Sequence, residues 1–514
     1  MSRKHVTKLY LSFDGKIHLC IDGWTSLNVI SFLGITAHRV VDGKLERIIL
    51  DFIKCLSKGH EGKYLAQQLA KCLQDYGIDG KILGITADNA SSNTAMCEEL
   101  EQLITGANSL QTKINCAAHV WNLVVKAIIL PFAHTKKTET SITFFDDDDK
   151  ALTSILDDGD LELNAHATDN TVEDSETEYE LDPDREAFDL KMIEDITAEI
   201  EAEDSLMHQE KQVAECAVTK LIELAKCTFH SLTIHEDLAT CCVKAKLTSA
   251  DAITCALWLR PALKRLFAMP KHDKAGANEL RRFKLSAEEW VILTQLHPIL
   301  KAFLHSTERV SKANTPLLHE VIPLIDVLTG RLEKVIDDPS LHKAVRHAAA
   351  RSLHILNKYY LKTDESIMYR CAMILHPSYK LNYFRSHQWP ATWIDTSIEI
   401  LREQWEAHYK PIDTPVPSPM RSSSMVQSSA SLSTINLSDD NDLFAEIDSF
   451  GMDTTDDPIS AYLKSSTEPV ADPLRYWTSK LNHSPLACMV LDFLSAPASS
   501  VEVERAFSHG GLTV

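Results

Sequence analysis

The chain has 514 residues, 44% of them hydrophobic, and a net charge of −21, enough material for two or three domains with a substantial core. No apolar run reaches membrane-spanning length. The opening MSRKHVTKLYLSFDGK lacks the apolar stretch of a secretory signal. The 12 cysteines are scattered, without paired CxxC or CxxC…HxxxH spacing, which argues for reduced thiols in the cytosol or nucleus and against a zinc finger.

The net charge argues at first against nucleic acid. It is not spread evenly, however. Residues 146–210 hold 25 Asp and Glu against 3 Lys and Arg, a local net of −22, so the rest of the chain sums to +1. That remainder is compatible with a basic face on DNA but does not by itself show one.

Residues 1–132 read as α/β. KIHLCID is a short apolar strand, and the first element is expected to begin about Ile17, leaving little room upstream for another module. VISFLGITAHRVV and KLERIILDFIKCL are two further strands joined by Asp42-Gly43-Lys44, a hairpin turn. GKYLAQQLAKCLQDYGI spaces Leu65, Leu69 and Leu73 four apart, as a helix requires. KILGITAD is a buried strand, NASSNTAMCEELEQLI a helix opened by cap-type residues, QTKINC a last short strand and AAHVWNLVVKAIILPF a mainly apolar helix. The order β-β-β-α-β-α-β-α suits two antiparallel connections followed by crossovers.

Residues 133–210 are acidic and poor in apolar side chains, so most of this segment is expected to lack a packed core, with a helix toward FDLKMIEDITAEIEAED. Residues 211–410 read as all helix. Residues 411–457 begin Pro/Ser-rich and turn acidic, which is linker chemistry. Residues 458–514 are compact and helix-rich again. Trp477, Leu481, Leu486, Met489, Leu491 and Phe493 form an apolar stripe there. It suits either a partner helix or the chain's own core.

Two strands end in aspartate, LCID at Asp22 and GITAD at Asp88. Asp-Gly after a strand is common turn punctuation. Two carboxylates at neighbouring strand tips are also the donor set of a hard divalent cation, which removes their mutual repulsion. From spacing alone both readings stand.

IDGWTS, GITADNASSN, CAAHVWNLVVK, ILHPSYKLNYF and YWTSKLNHSPLACMVLDFLSAPASSVEVERAFS resemble, in this order, the motifs of hAT-superfamily DNA transposases. The likeness is strongest over 15–132 and 468–514. It implies an RNase H-like mixed sheet core interrupted by a large all-α insertion, with a helical C-terminal dimerisation segment completing the core. The resemblance also supplies a third acid: it maps an Asp-Asp-Glu metal set onto Asp22, Asp88 and Glu504, holding Mg²⁺ or Mn²⁺ as a two-metal site for phosphodiester cleavage and strand transfer. Glu502, two residues earlier, would point elsewhere on its helix. The implied partners are transposon-end DNA and a second copy of the chain, in the nucleus, with no membrane.

Cys116 and His119 form a CxxH at a strand–helix junction. They are read either as local packing or, by the resemblance, as groups steering DNA ends; no zinc is expected. Trp24 and Trp121 fit core or surface-anchoring roles better than base stacking. The family's adjacent Arg-Trp pair is absent, and Trp258 with Arg260 stands as a shifted equivalent or as core. There is no upstream zinc-binding BED finger, and the chain stops soon after ERAFSHGG. These departures lead to the expectation of a truncated or domesticated copy, in which cleavage is weak and self-association persists. The alternative to an enzyme is a non-catalytic protein that keeps dimerisation and nucleic-acid binding.

Overall fold

Successive side chains of a strand point to opposite faces. In β1 (Ile17–Thr25) that places Ile17, Leu19 and Ile21 on one side and His18, Cys20 and Asp22 on the other. All six are buried, so β1 lies in the middle of a sheet covered on both sides. The computed structural model describes residues 3–25, 31–55, 61–132, 183–203, 208–245, 252–272, 280–312, 315–411 and 457–511.

The sheet has five strands in the order β3-β2-β1-β4-β5. β2 (Ser31–Val41) and β3 (Lys44–Lys54) form the antiparallel side. β4 (Ile82–Ala87) and β5 (Lys113–Asn115) are parallel to β1 and to each other in turn. The β2–β3 turn puts Asp42 at φ +50° and Gly43 at φ +74°, two consecutive left-handed residues, as tight hairpins of the primed type require. This is the mixed α/β core expected from the sequence.

The apolar face of β1 meets α2 (Gly62–Tyr76) and α3 (Ser91–Leu103). Leu19, Ile21, Leu33 and Ile35 pack in one cluster with Leu65, Leu69, Leu73, Met96 and Leu100. α2 ends at Gly77, whose φ of +66° lets its N–H reach back to the Gln74 carbonyl. α4 (Ala117–Ile129) follows β5 and is buried along most of its length.

Two features depart from the sequence reading. A helix α1 (Arg3–Leu11) precedes β1. It buries only Val6 and Tyr10 in the core, too few positions for a periodic signal, and Lys81 Nζ caps its last carbonyls at Tyr10 and Leu11 (3.0 and 3.1 Å). Second, β1 does not end at Asp22: its pairing with β2 continues to Thr25↔Ser31. The helix expected toward FDLKMIEDITAEIEAED is present: it spans Pro183–Glu203 inside the acidic stretch, where Met192, Ile193 and Ile196 are buried at helical spacing. The rest of the acidic stretch up to residue 182, and residues 412–456 of the linker, lie outside the described residues.

The chain divides into two compact units, residues 1–373 with 492–514, and residues 374–491. The first holds the sheet, the helices of the insertion up to Met373, and the C-terminal helix Val501–Gly511. The second is helical, with Leu381, Phe384, Leu401, Trp405, Ile459, Leu474 and Trp477 buried. Its Lys380, in the left-handed region at φ +45°, sends a buried ammonium to the Tyr462, Ser465 and Ser466 carbonyls (3.1, 3.1 and 2.8 Å). Those carbonyls end the helix Pro458–Lys464, where positive charge is favourable. The apolar stripe of the tail is largely spent within the chain's own fold: Trp477, Leu486, Met489, Leu491 and Phe493 are buried and Leu481 is 42% exposed.

Candidate functional site

The parallel register of β1 and β4 runs to Cys20↔Thr86. The same register carried two residues further would set Asp22 opposite Asp88, the first residue after β4. Asp22 is inside its strand, because the β2 hairpin carries β1 on to Thr25, four residues beyond the level at which β4 has ended. Asp88 begins the connection into α3. Its Oδ1 accepts from the Ala90 N–H (2.8 Å) and from Asn93 Nδ2 (2.6 Å), so the turn role read from the sequence and a carboxylate fixed at the sheet's end are both met by one residue. Both aspartates are buried.

Asp22 shares its face of β1 with Cys20, and there the C-terminal helix lands: Val503 packs on Cys20 with Phe32 alongside. The preceding stretch, residues 495–500 (SAPASS), is wholly buried and tied to two strands and to the start of α4. Thr86 Oγ1 donates to the Pro497 carbonyl (2.8 Å), Ala117 N–H to Ala498 (2.9 Å) and Cys20 Sγ to Ser499 (3.6 Å). Just upstream, Asp492 Oδ1 accepts the Lys16 N–H (2.9 Å), and the His18 ring meets the Asp492 carbonyl (2.7 Å).

On that helix Glu502 is engaged by Arg47 of β3 and by Arg505. Glu504 is exposed. Burial first, and then the Glu504 charge, raise the Cys116 thiol to about 11. The structure thus brings the helix of Glu504 onto the Asp22 face of the sheet. Among the described residues, however, no group of three or more His, Cys, Asp or Glu side chains is arranged to hold a metal ion.

Cys116 and His119 are both buried. Sequence reasoning missed the partner of His119: its Nε2 lies 3.6 Å from Asp189 Oδ2, which is also 3.7 Å from Lys126 Nζ. Asp189 comes from the helix Pro183–Glu203, and only the spacing of Met192, Ile193 and Ile196 hinted that this part of the acidic stretch would dock. Trp121 is fully buried, 6.5 Å from the Phe303 ring, and is core. Arg260 lies with its guanidinium 4.9 Å from the ring of Trp290, a buried residue of the helix Ala287–Val310. The side chains of Trp24 and Trp258 lie outside the described residues. A second residue missed is Asn89, beside Asp88: its amide is buried, and neither polar atom has a hydrogen-bond partner among the described residues.

A mixed five-stranded sheet of order β3-β2-β1-β4-β5, with a late helix returned to one face of its central strand, is the architecture of an RNase H-like core. Two family models agree. Residues 20–116 match the ZBED1 RNase-like domain, and residues 458–514 the hAT family C-terminal dimerisation region. Over these two stretches the chain is similar to hAT-family proteins.

Among curated proteins, "Putative transcriptional regulator tpeD" of Talaromyces stipitatus is 25% identical over 97% of this chain and 51% of its own length. "Putative AC transposase" of Zea mays is 22% identical over 100% of this chain and 57% of its own. "Zinc finger BED domain-containing protein DAYSLEEPER" of Arabidopsis thaliana is 26% identical over 25% of this chain and 19% of its own. The chain therefore spans about half the length of the relatives it matches end to end. No helix among the described residues is long and apolar enough to cross a membrane.

Proposed function

We propose that this chain is a DNA-binding, dimerising hAT transposase-like protein of the nucleus, in which Asp22, Asp88 and Glu504 hold Mg²⁺ or Mn²⁺ for cleavage and strand transfer at transposon ends. The observation that supports the reading is the parallel register of β1 and β4, which runs to Cys20↔Thr86, two residues short of Asp22 and Asp88, with the helix of Glu504 packed on the Cys20 face of the sheet. Two buried like charges at neighbouring positions are unfavourable alone and favourable around a cation. All-oxygen donors suit a hard divalent ion. The residues present therefore fit the group by their chemistry, with Glu504 as the ligand that must close onto the other two.

A bound cation supplies Lewis-acid activation of a phosphoryl oxygen and of the attacking hydroxyl. The chain's own contribution is placement. Ala90 and Asn93 fix the Asp88 carboxylate at the start of α3, and β2 holds Asp22 rigid on both sides of its position. Residues 458–514, by their likeness to the dimerisation region, would pair two copies.

A second reading, a DNA-binding dimer without cleavage, is favoured by the exposure of Glu504 and the lack of a three-ligand group among the described residues. The end-to-end likeness to a protein described as a transcriptional regulator supports it as well.

Titration with Mn²⁺ and a nicking assay on DNA separate the two. The catalytic reading expects binding that weakens at least about tenfold in Asp88→Asn, and metal-dependent nicking lost in Asp22→Asn, Asp88→Asn and Glu504→Gln alike. DNA binding and dimer formation without any nicking would establish the second reading instead.

A further inference from the structure

The C-terminal helix begins at a sulfur atom. Cys116 Sγ accepts the N–H of Ser500 at 3.3 Å, and Ser500 immediately precedes the helix Val501–Gly511. The opening N–H groups of a helix have no partner within it, so this buried acceptor serves the start of the C-terminal helix and joins it to Cys116, the residue between β5 and α4.

The position of Cys116 is itself fixed. Its own N–H donates to the Ala87 carbonyl (2.8 Å), the residue before Asp88. Ser500 and Glu504 are four residues apart, one helical turn, and so lie on one face of the C-terminal helix. A path of three links then runs from Ala87 through Cys116 to Ser500 and, one turn on, Glu504. Thiolate chemistry is not what the sulfur offers: burial and the nearby Glu504 charge raise its pKa to about 11, so at neutral pH it is an uncharged thiol.

We propose that Cys116 is a positioning residue for Glu504, its sulfur tying the start of the C-terminal helix to the end of β5 and so keeping the helix of Glu504 on the Cys20 and Asp22 face of the sheet. This gives the cysteine of the CxxH pair a role distinct from metal ligation and from DNA contact. It rests on the metal reading of the three acids given above.

The test uses the full chain, with hydrogen exchange at the amides of residues 500–504 and Mn²⁺ affinity read side by side. Cys116→Ala should speed exchange there about tenfold, in line with the loss of one buried acceptor. It should lower Mn²⁺ affinity to the level of Glu504→Gln, and the double variant should bind no more weakly than Glu504→Gln alone, because both changes remove the same ligand. Cys116→Ser keeps an acceptor and should return both readouts to within about threefold of the parent.

Unchanged exchange in Cys116→Ala overturns the proposal. So does a serine variant as impaired as the alanine one, which would make the effect one of volume. A parental Mn²⁺ affinity in Glu504→Gln would sink the metal reading itself, and the alanine–serine contrast in exchange would still decide whether the sulfur holds the helix.

Discussion

The two faces of β1 are both buried, by opposite means. Ile17, Leu19 and Ile21 meet α2 and α3, elements within about 90 residues in sequence, through apolar contact alone. His18 and Cys20 are covered by residues 492–503, more than 470 positions away, through hydrogen bonds to backbone carbonyls and one apolar contact at Val503. The first face is generic and tolerant of register in its packing. The second is specific: each polar side chain has one carbonyl to meet, and that is what fixes where the late helix lands on the sheet.

The largest expected contrast is in pH. Burial holds His18 down at about 4 and His38 at about 3, against an unfolded value near 6.5. Both are neutral in the fold and take up protons on unfolding, so stability is fully present above about pH 6.5 and falls as the pH drops toward 4. The loss is on the order of 3 kcal/mol for His18 alone. Urea unfolding between pH 7 and 4 should show it, and a His18→Gln variant should have a flatter profile. Equal slopes in the two proteins would mean that the polar face does not govern acid sensitivity.

On the apolar face, Leu69→Ala should cost about 3 kcal/mol by deleting a fully buried side chain, with no change in that pH slope. A steeper slope in this variant would show that the faces are coupled. Thr86→Val keeps the shape of a buried residue and removes the donor to the Pro497 carbonyl. It should cost about 1–2 kcal/mol and loosen residues 495–500 in hydrogen exchange while leaving α2 protected. The smallest effect has the opposite sign. Asn89→Leu replaces a buried amide with no partner among the described residues, and should raise the unfolding midpoint by the equivalent of up to about 1 kcal/mol. A fall in midpoint would show that this amide is satisfied.

The apolar face was legible in the sequence because its signals are local: a period of two in KIHLCID, a period near four in Leu65, Leu69 and Leu73, and a hairpin at Asp42-Gly43. Asp88 was legible as well, since its strand stops one residue before it. Asp22 was misread as a strand end because the length of β1 is set by β2, and pairing partners leave no mark on the strand they prolong. Glu504 came from family likeness. Its neighbour Glu502 carries the same charge two residues away, and only Arg47, on another strand, tells them apart. The Asp189–His119 contact was invisible for a related reason: a carboxylate in a run of carboxylates has no distinguishing spacing until its helix docks.

The SAPASS strap also has a bearing on synthesis. Roughly 370 residues separate β5 from Asp492, so at ~5–20 residues per second the sheet waits on the order of 20–75 seconds on the ribosome with its polar face uncovered. During that interval His18, Cys20 and Thr86 lack the carbonyls that meet them in the finished fold. A nascent chain paused anywhere in between would present a sheet packed on α2 and α3 and open on the other side, recognisable to a chaperone and devoid of Glu504. Docking of the helix that carries Glu504 thus follows the making of the sheet by hundreds of residues of synthesis.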